Sequence, residues 1–229
     1  MRQVQDYYEN LAQSYDQERF ANSYGQYVDR MERRLLARWL QYRAPEDIVE
    51  LGCGTGRFLN FAKTGVDSSA AMLTEASKKW PDRALSHADA GNTGLAAQGF
   101  DVALCFHVLM HLDLAVCQTI FDEAARIVKP GGSFIFDIPS GPRRKLSGRR
   151  ASGWHGNTSA SLAEIRAWAG ASWRLKRWRG VLFVPIHYVP SNWRKRFALL
   201  DMLIGATPLA RWSSYYVCEL ERLDQPDGE

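Results

Sequence analysis

The chain has 229 residues, of which 46% are hydrophobic and 24% are charged, and this apolar fraction excludes an intrinsically disordered protein. There is no fixed-length repeat, and no apolar stretch approaches the roughly 20 residues that cross a bilayer. One large domain is therefore expected. The first six residues lack the apolar core of a secretory signal, so the sequence predicts a soluble cytoplasmic protein.

The net charge of +4 is unevenly distributed along the chain. Residues 1–140 contain 14 Lys/Arg and 18 Asp/Glu, whereas residues 141–229 contain 15 and 7. The basic half predicts either an anionic partner, such as a phosphorylated substrate, nucleic acid or a membrane surface, or simply a solvated basic face. The four cysteines form no C-x-x-C pair, and no Cys/His cluster has zinc-site spacing, so neither a disulfide framework nor a structural metal is expected.

Residues 1–44 precede the first predicted strand and show apolar side chains at helical spacing, which predicts helices over 7–20 and 27–42. A buried strand is expected at 48–51, before a cluster of glycines. Helices and strands then alternate, which predicts a parallel sheet with helices on both faces. The expected helices are 57–63, 69–80 and 115–128, and the expected strands are 65–67, 84–87, 100–106 and 133–138.

The pattern changes after Ser140. Residues 141–156, rich in Gly, Ser and Arg, predict a mobile loop. A helix is expected over 161–171, with Ser161 as its N-cap and Glu164 completing a capping box. Two late strands, 172–184 and 213–222, are separated by a helical stretch over 192–204 and suit a reversed hairpin at the edge of the sheet; the tail from Asp224 is expected to fray.

Three glycines follow the first predicted strand. They form a G-x-G-x-G pattern at Gly52, Gly54 and Gly56, with the acidic Glu50 before it. Glycines at this point allow positive φ and a close approach of a ligand to the backbone. A dinucleotide-binding fingerprint would need a third glycine at position 57, where Arg57 stands, so a nicotinamide oxidoreductase is disfavoured.

This loop resembles the first motif of class I S-adenosylmethionine (SAM)-dependent methyltransferases. The resemblance continues to about Ser140 and is greatest to the small-molecule branch called type 11. It implies SAM as the cofactor and an α/β fold, a Rossmann-like seven-stranded, mostly parallel sheet with helices on both faces and an antiparallel C-terminal edge hairpin. Further motifs carry the resemblance: Gly65–Asp67, Ala88–Ala90, Phe100–His107 and Ile127–Gly132.

The same resemblance implies one methyltransferase domain over residues 1–229. Residues 1–44 would form a helical lid, residues 45–140 the SAM-binding core, and residues 141–229 the acceptor side and the completing strands. Asp67 follows Gly52 by 15 residues, which leaves room for only a short helix between them.

Several residues acquire expected roles in cofactor binding from this resemblance. Asp67 would accept hydrogen bonds from both ribose hydroxyls, and Asp89 would accept one from the adenine amine. Tyr15 would shield the sulfonium, and Arg19 would pair with the carboxylate of the cofactor. The complete predicted set is Tyr15, Arg19, Glu50, Gly52, Cys53, Gly54, Gly56, Asp67, Ser68, Met72, Asp89, Ala90 and Phe106.

Histidines are the candidate catalytic residues. His107 and His111, four positions apart, are expected to share a helix face beside the cofactor, where one imidazole would act as a general base. His155, in the arginine-rich loop, is a secondary candidate. Core packing is the alternative for the first pair. The segment lacks the glutamate of H-E-x-x-H, so no metal site is predicted.

The acceptor pocket is expected after Ser140, and the favoured function is O-methylation of a small molecule. Residues 192–200 are basic and then apolar, like an interfacial helix, which would suit a lipid-linked, prenyl or phosphorylated acceptor and a peripheral membrane location; a lid helix is the alternative. The cationic run before them comprises Arg143, Arg144, Lys145, Arg149 and Arg150.

Two further classes remain as alternatives, and both keep the cofactor. A nucleic-acid methyltransferase would need a D/N-P-P-Y/F element after the fourth strand, and the sequence there is Cys105-Phe106-His107-Val108, so no specific nucleic-acid partner is expected. A non-catalytic SAM-binding module would leave the intact motifs without a reaction to serve. The sequence does not predict the oligomeric state.

Overall fold

Seven strands form one sheet in the computed structural model, which describes residues 2–148 and 158–224. Their order across the sheet is β3-β2-β1-β4-β5-β7-β6. Strands β1 to β5 are parallel, whereas β7 runs antiparallel to both of its neighbours, β5 and β6. The strands are β1 (Ile48–Leu51), β2 (Thr64–Asp67), β3 (Ala84–His87), β4 (Phe100–Cys105), β5 (Val128–Pro139), β6 (Trp173–Val181) and β7 (Tyr215–Arg222).

This topology confirms the predicted Rossmann-like, mostly parallel sheet with an antiparallel C-terminal hairpin. The hairpin differs from a simple edge addition because β7 lies inside the sheet and β6 forms the edge. The predicted residues His155, Arg149 and Arg150, and the tail beyond Asp224, lie outside the described residues.

Eight α-helices accompany the strands in the described parts of the chain. Ser161 caps its helix through a capping box with Glu164, as predicted. The first predicted helix is divided by a turn at residues 12–14. The helices are α1 (Arg2–Leu11), α2 (Tyr15–Phe20), α3 (Ser23–Trp39), α4 (Ala70–Lys79), α5 (Leu114–Ile127), α6 (Gly141–Ser147), α7 (Leu162–Ala169) and α8 (Arg194–Ile204).

Both faces of the sheet are covered by helices. Along β4, Val102 and Leu104 belong to one apolar cluster, and Ala103 and Cys105 belong to the other. Because successive side chains of a strand point to opposite faces, the uninterrupted apolar run of β4 supplies both cores. The first cluster includes buried residues of α3, α4 and α8, and the second includes residues of α5 and α7.

The predicted helix over 57–63 is wrong. Residues 54–61 form successive turns, in which amides bond three residues back instead of four. Side chains take several of the carbonyls: Trp80 Nε1 donates to Gly56 O at 2.8 Å, and Arg83 Nε donates to Leu59 O at 2.8 Å. These bonds hold the segment in a compact series of turns between β1 and β2.

The loop prediction over 141–156 is wrong in its first half. Residues 141–147 form α6, because Ser140 caps the helix and accepts a hydrogen bond from the Arg143 amide at 3.2 Å, and Pro142 occupies the first turn. Pro is well tolerated there because its missing N–H is not needed. Gly148 ends the helix with a φ of +62°.

Candidate active site

A cleft opens where the carboxyl ends of β1, β2 and β4 meet, the position at which open α/β sheets bind ligands. We call it the first cleft. Nine of the predicted cofactor residues line it: Tyr15, Gly52, Gly54, Asp67, Ser68, Met72, Asp89, Ala90 and Phe106. His107 and His111 line it as well.

The glycine loop forms the floor of the first cleft. The amides of Gly52 and Cys53 both donate to Val66 O, at 2.7 and 3.0 Å, which bends the chain sharply after β1. Gly52 has a φ of +70°, and a Cβ on it would lie 2.3 Å from Val108 Cγ2. Gly54, at φ +53°, has open space where its Cβ would be, so the backbone is accessible to a ligand there.

Asp67, at the end of β2, is held by backbone amides. Gly54 N–H donates to its Oδ2 at 2.7 Å, and Ser69 N–H donates to its Oδ1 at 2.9 Å. Burial raises the pKa of Asp67, and these two hydrogen bonds oppose the shift. A carboxylate has about four acceptor sites, so two remain for a diol in the cleft, which fits the ribose of SAM.

Further polar contacts shape the adenosine end of the first cleft. Asp89 Oδ1 accepts a hydrogen bond from Gly91 N–H at 2.7 Å, which fixes the carboxylate beside Ala90. Met72 is buried in the first turn of α4, where its amide donates to Ser69 Oγ. Asp89, Ala90 and Met72 thus line the part of the first cleft in which the family resemblance predicts the adenine ring.

The N-terminal helix α1 covers this cleft. Gln5 Nε2 donates to Ser68 O at 2.7 Å, and the carboxylate of Glu9 accepts hydrogen bonds from the amides of Ala70 and Ala71, at 2.8 and 3.1 Å. A carboxylate at the N-terminus of a helix is stabilised by unpaired amides and the helix dipole. These contacts fasten α1 to α4 and place Tyr8 on the cleft wall.

A second cleft adjoins the first and is predominantly aromatic and apolar, with two arginines. Four side chains line both clefts: Tyr8, Tyr15, His107 and His111. The predicted cofactor residue Arg19 lines only the second cleft, where its Nη2 donates to Tyr7 Oη at 2.9 Å. The other residues of the second cleft are Phe20, Tyr24, Gly25, Val28, Met110, Arg144, Leu182 and Tyr215.

The prediction that His107 and His111 share a helix face is wrong. His107 has a φ of +59°, and only residues 109–111 form a short 3-10 turn. The amide of His107 donates to Asp137 Oδ1 at 2.6 Å, so a side chain of β5 holds the backbone just after β4. The two imidazoles nevertheless both lie on the wall between the clefts, and the ring of His111 packs edge-on against Tyr8 at 6.0 Å.

Both ring nitrogens of His107 face buried carboxylates. Its Nε2 lies 3.1 Å from Glu32 Oε1, and its Nδ1 lies 3.5 Å from Asp137 Oδ2. Burial lowers the pKa of His107, but the charges of Asp137 and Glu32 outweigh it, so the net shift is upward. This favours the imidazolium and makes His107 a poor proton acceptor.

Arg57 extends this buried network to the glycine loop. Its guanidinium pairs with Glu32 and, at 2.8 Å, with Asp29, and it lies between the rings of Phe20 and Phe58. Burial opposes ionisation of Glu32, yet His107 and Arg57 lower its pKa to about 2. Arg57, which stands where a dinucleotide fingerprint has its third glycine, therefore links the glycine loop to α3.

Glu32, His107 and Asp137 offer three potential metal ligands within 4.8 Å of one another. Arg57 pairs with Glu32, and the ring of His107 lies between the two carboxylates. Each of the three side chains thus already has a partner within the protein.

Three predicted cofactor residues lie outside the walls of both clefts: Glu50, Cys53 and Gly56. Glu50 and Cys53 are buried beneath the loop. Among the described residues, Glu50 Oε2 has no hydrogen-bond partner, and burial raises the pKa of Glu50 from 4.5 to about 8.

Sequence reasoning missed four residues that shape the site: Tyr8, Glu32, Arg57 and Asp137. Two of them carried a signal, since Glu32 interrupts the apolar face of α3 and Asp137 interrupts the apolar run Phe134–Ile138. A charged residue in a core position is retained mainly when it has a partner. No local pattern indicated which partners these would be.

Comparison with solved structures supports the fold. A SAM-dependent methyltransferase from Clostridium acetobutylicum is 15% identical, with a TM-score of 0.65 over 95% of this chain and 99% of the other. One from Thermotoga maritima is 22% identical, with a TM-score of 0.61 over 89% and 96%. The magnesium protoporphyrin IX methyltransferase of Synechocystis, solved with bound SAH, is 17% identical, with a TM-score of 0.63 over 96% of this chain and 97% of the other.

Sequence comparison adds a domain match over part of the chain. A family model described as a methyltransferase domain, type 11, matches residues 49–136. A demethylmenaquinone methyltransferase from Bacteroides fragilis is 28% identical over 148 residues, and one from Tropheryma whipplei is 27% identical over 150. The first match covers 58% of this chain and 58% of the relative, and the second covers 62% of this chain and 61% of the relative. The chain thus spans less than two thirds of the length of either relative. Residues 49–136 thus match a methyltransferase-domain family, and the described fold is similar to that of solved SAM-dependent methyltransferases.

Proposed function

We propose that this protein transfers a methyl group from SAM to a hydroxyl of a small aromatic acceptor held in the second cleft. The observation that carries the proposal is the wall common to the two clefts, formed by Tyr8, Tyr15, His107 and His111. A cofactor in the first cleft and an acceptor in the second would meet at this wall. The aromatic side chains of the second cleft favour a flat, largely apolar acceptor.

The residues divide the work between positioning and proton transfer. When bound, SAM supplies an activated methyl group, so the main task of the protein is alignment, which can contribute about 7–11 kcal/mol. Tyr8 and Tyr15 exclude water from the junction and present electron-rich rings to a cation. His111 accepts the proton from the acceptor hydroxyl, because both nitrogens of His107 face carboxylates.

A lipid-linked aromatic ring is the second candidate acceptor. Support comes from the relatives named demethylmenaquinone methyltransferases and from the basic, apolar character of the C-terminal region. Incubating the protein with SAM and either water-soluble phenols or a prenylated naphthoquinol in detergent would separate the two by mass shift. Methylation of neither set, with SAM bound, would support a non-catalytic SAM-binding module instead.

Replacing His111 with asparagine should lower kcat by about 100-fold or more, since general-base catalysis contributes on this scale. The affinity for SAM should change little, because asparagine still fills the wall between the clefts. Steady-state kinetics on an acceptor identified by mass shift, combined with calorimetry of SAM binding, would measure both. The exposed His187, replaced in the same way, is the matched control. Full activity of H111N would rule out His111 as the base.

Replacing Asp67 with asparagine should weaken SAM binding by about 1–3 kcal/mol through loss of charge-assisted hydrogen bonds. Isothermal calorimetry measures this directly and needs no acceptor. Asp82→Asn is the control, since Asp82 is an exposed acid that pairs with Lys63 and Arg83. Thermal melting should show that both variants are folded, and an unchanged affinity in D67N would contradict the ribose assignment.

A further inference from the structure

Helix α8 exposes several large apolar side chains, although its inner side contains a charged residue. This residue, Asp201, is fully buried and accepts hydrogen bonds from Tyr27 Oη at 2.9 Å and from the Phe183 amide at 2.7 Å. The outer side of α8 and the short 3-10 turn at Pro208–Trp212 carry what we call the leucine face. Its members are 38–64% exposed: Leu199, Leu200, Met202, Leu203 and Leu209. Large apolar patches of this kind mark interaction sites.

Arginines lie near the leucine face in space or in sequence. Arg34 Nη1 lies 3.9 Å from Met202 Sδ, Arg196 stacks on the half-exposed ring of Trp193, and Arg211 is exposed beside Leu209. Residues 185–212 contain a single acidic residue, the buried Asp201. Apolar side chains edged by arginines and a tryptophan complement the acyl boundary and the anionic headgroups of a membrane.

The length of α8 indicates how it would lie. Its 11 residues extend about 16 Å at 1.5 Å per residue, which is roughly half the thickness of a hydrocarbon core. No helix in the described parts of the chain is long and apolar enough to cross a bilayer. An amphipathic helix of this length lies in the plane of the interface.

We propose that the leucine face docks on an anionic lipid surface, with α8 parallel to the membrane plane. A second copy of the chain fits this face less well, because a symmetric contact would bring the same arginine-rich patch of both copies together. The proposal goes beyond methyl transfer and does not depend on it.

Docking would connect the membrane with the second cleft. Asp201 joins α8 to Tyr27 of α3 and to the Leu182–Val184 segment, and Leu182 lines that cleft. The surface that contacts lipid and the candidate acceptor site therefore share one structural support.

Vesicle co-sedimentation tests the proposal on the full chain. The protein should bind phosphatidylcholine vesicles that contain phosphatidylglycerol, bind less in high salt, and bind weakly to phosphatidylcholine alone. The double variant L199S/L203S should reduce binding at least about tenfold, given the apolar area removed. Leu146→Ser is the matched control, because Leu146 is 68% exposed on α6, and it should bind as the parent does.

A second pair of variants tests the charge. Arg196→Gln and Arg211→Gln should each weaken binding about fivefold and reduce its salt dependence. Circular dichroism melts would show that every variant is folded. No binding at either salt concentration, equal binding to neutral vesicles, or binding that L199S/L203S retains would each overturn the proposal. So would a dimer in light scattering that this double variant dissociates.

Discussion

Replacing Glu50 with glutamine is expected to stabilise the protein at alkaline pH and to have little effect at pH 4.5. Burial raises the pKa of Glu50 from 4.5 to about 8, so the folded protein holds this proton more tightly than the unfolded chain does. The contribution of the protonated acid is complete below pH 4.5 and is lost as the pH rises through 8. Glutamine resembles the neutral acid and keeps this contribution, whose loss in the parent amounts to about 5 kcal/mol.

Urea unfolding of the parent and of E50Q at pH 4.5, 6.5 and 8.5 would measure this difference. The advantage of the variant should grow with pH between the first and last conditions. Glu46→Gln is the control, since Glu46 is exposed near the same strand, and its effect should not vary in this way. A difference between E50Q and the parent that stays constant with pH would show that Glu50 is ionised in the folded protein.

Replacing Glu32 with glutamine should have the opposite effect and destabilise the protein by about 3 kcal/mol at neutral pH. Breaking a buried ion pair on one side costs about 3–5 kcal/mol, and Arg57 keeps Asp29 as a partner. Because the pKa of Glu32 is lowered to about 2, its contribution is present above pH 4.5 and is lost as the pH falls towards 2. The difference in the free energy of unfolding between variant and parent should therefore become smaller at acidic pH.

Two measurements distinguish this network from simple core packing. Urea unfolding at pH 7 and pH 3 gives the pH dependence, and NMR titration of the imidazole gives the pKa of His107, which should fall when Glu32 loses its charge. Glu75→Gln serves as the control, because its pair with Lys78 lies on the surface of α4 and such pairs contribute less than about 1 kcal/mol. An unchanged pKa of His107 would mean that Asp137 alone sets it.

The fold could be predicted because its determinants are local. Short apolar runs indicated β1 and β4, a three-residue stub that ends in Asp67 indicated β2, and the alternation with helices indicated a parallel sheet. The antiparallel C-terminal hairpin was expected from the family resemblance, but the position of β7 between β5 and β6 was not predicted. The turns at residues 54–61 could not be predicted, since the side chains of Trp80 and Arg83 that hold them lie on distant segments.

Much of the lining of the first cleft could be predicted from the sequence, and much less of the lining of the second cleft. Gly52, Gly54 and Asp67 are fixed by short-range backbone contacts, so their motif spacing is informative. The conformation of His107 depends on Asp137, 30 residues later, and its protonation depends on Glu32, 75 residues earlier. The only sign of such distant contacts in the sequence is a charged residue within an apolar pattern, as at Glu32 and Asp137.

The interior position of β7 has a consequence during synthesis. Until residues 215–222 leave the ribosome, one side of β5 presents unpaired amides and carbonyls, and β6 has no strand to join, because both pair with β7. Such an open edge readily pairs with other chains. A chaperone should therefore protect the nascent protein mainly during the interval before its last strand emerges.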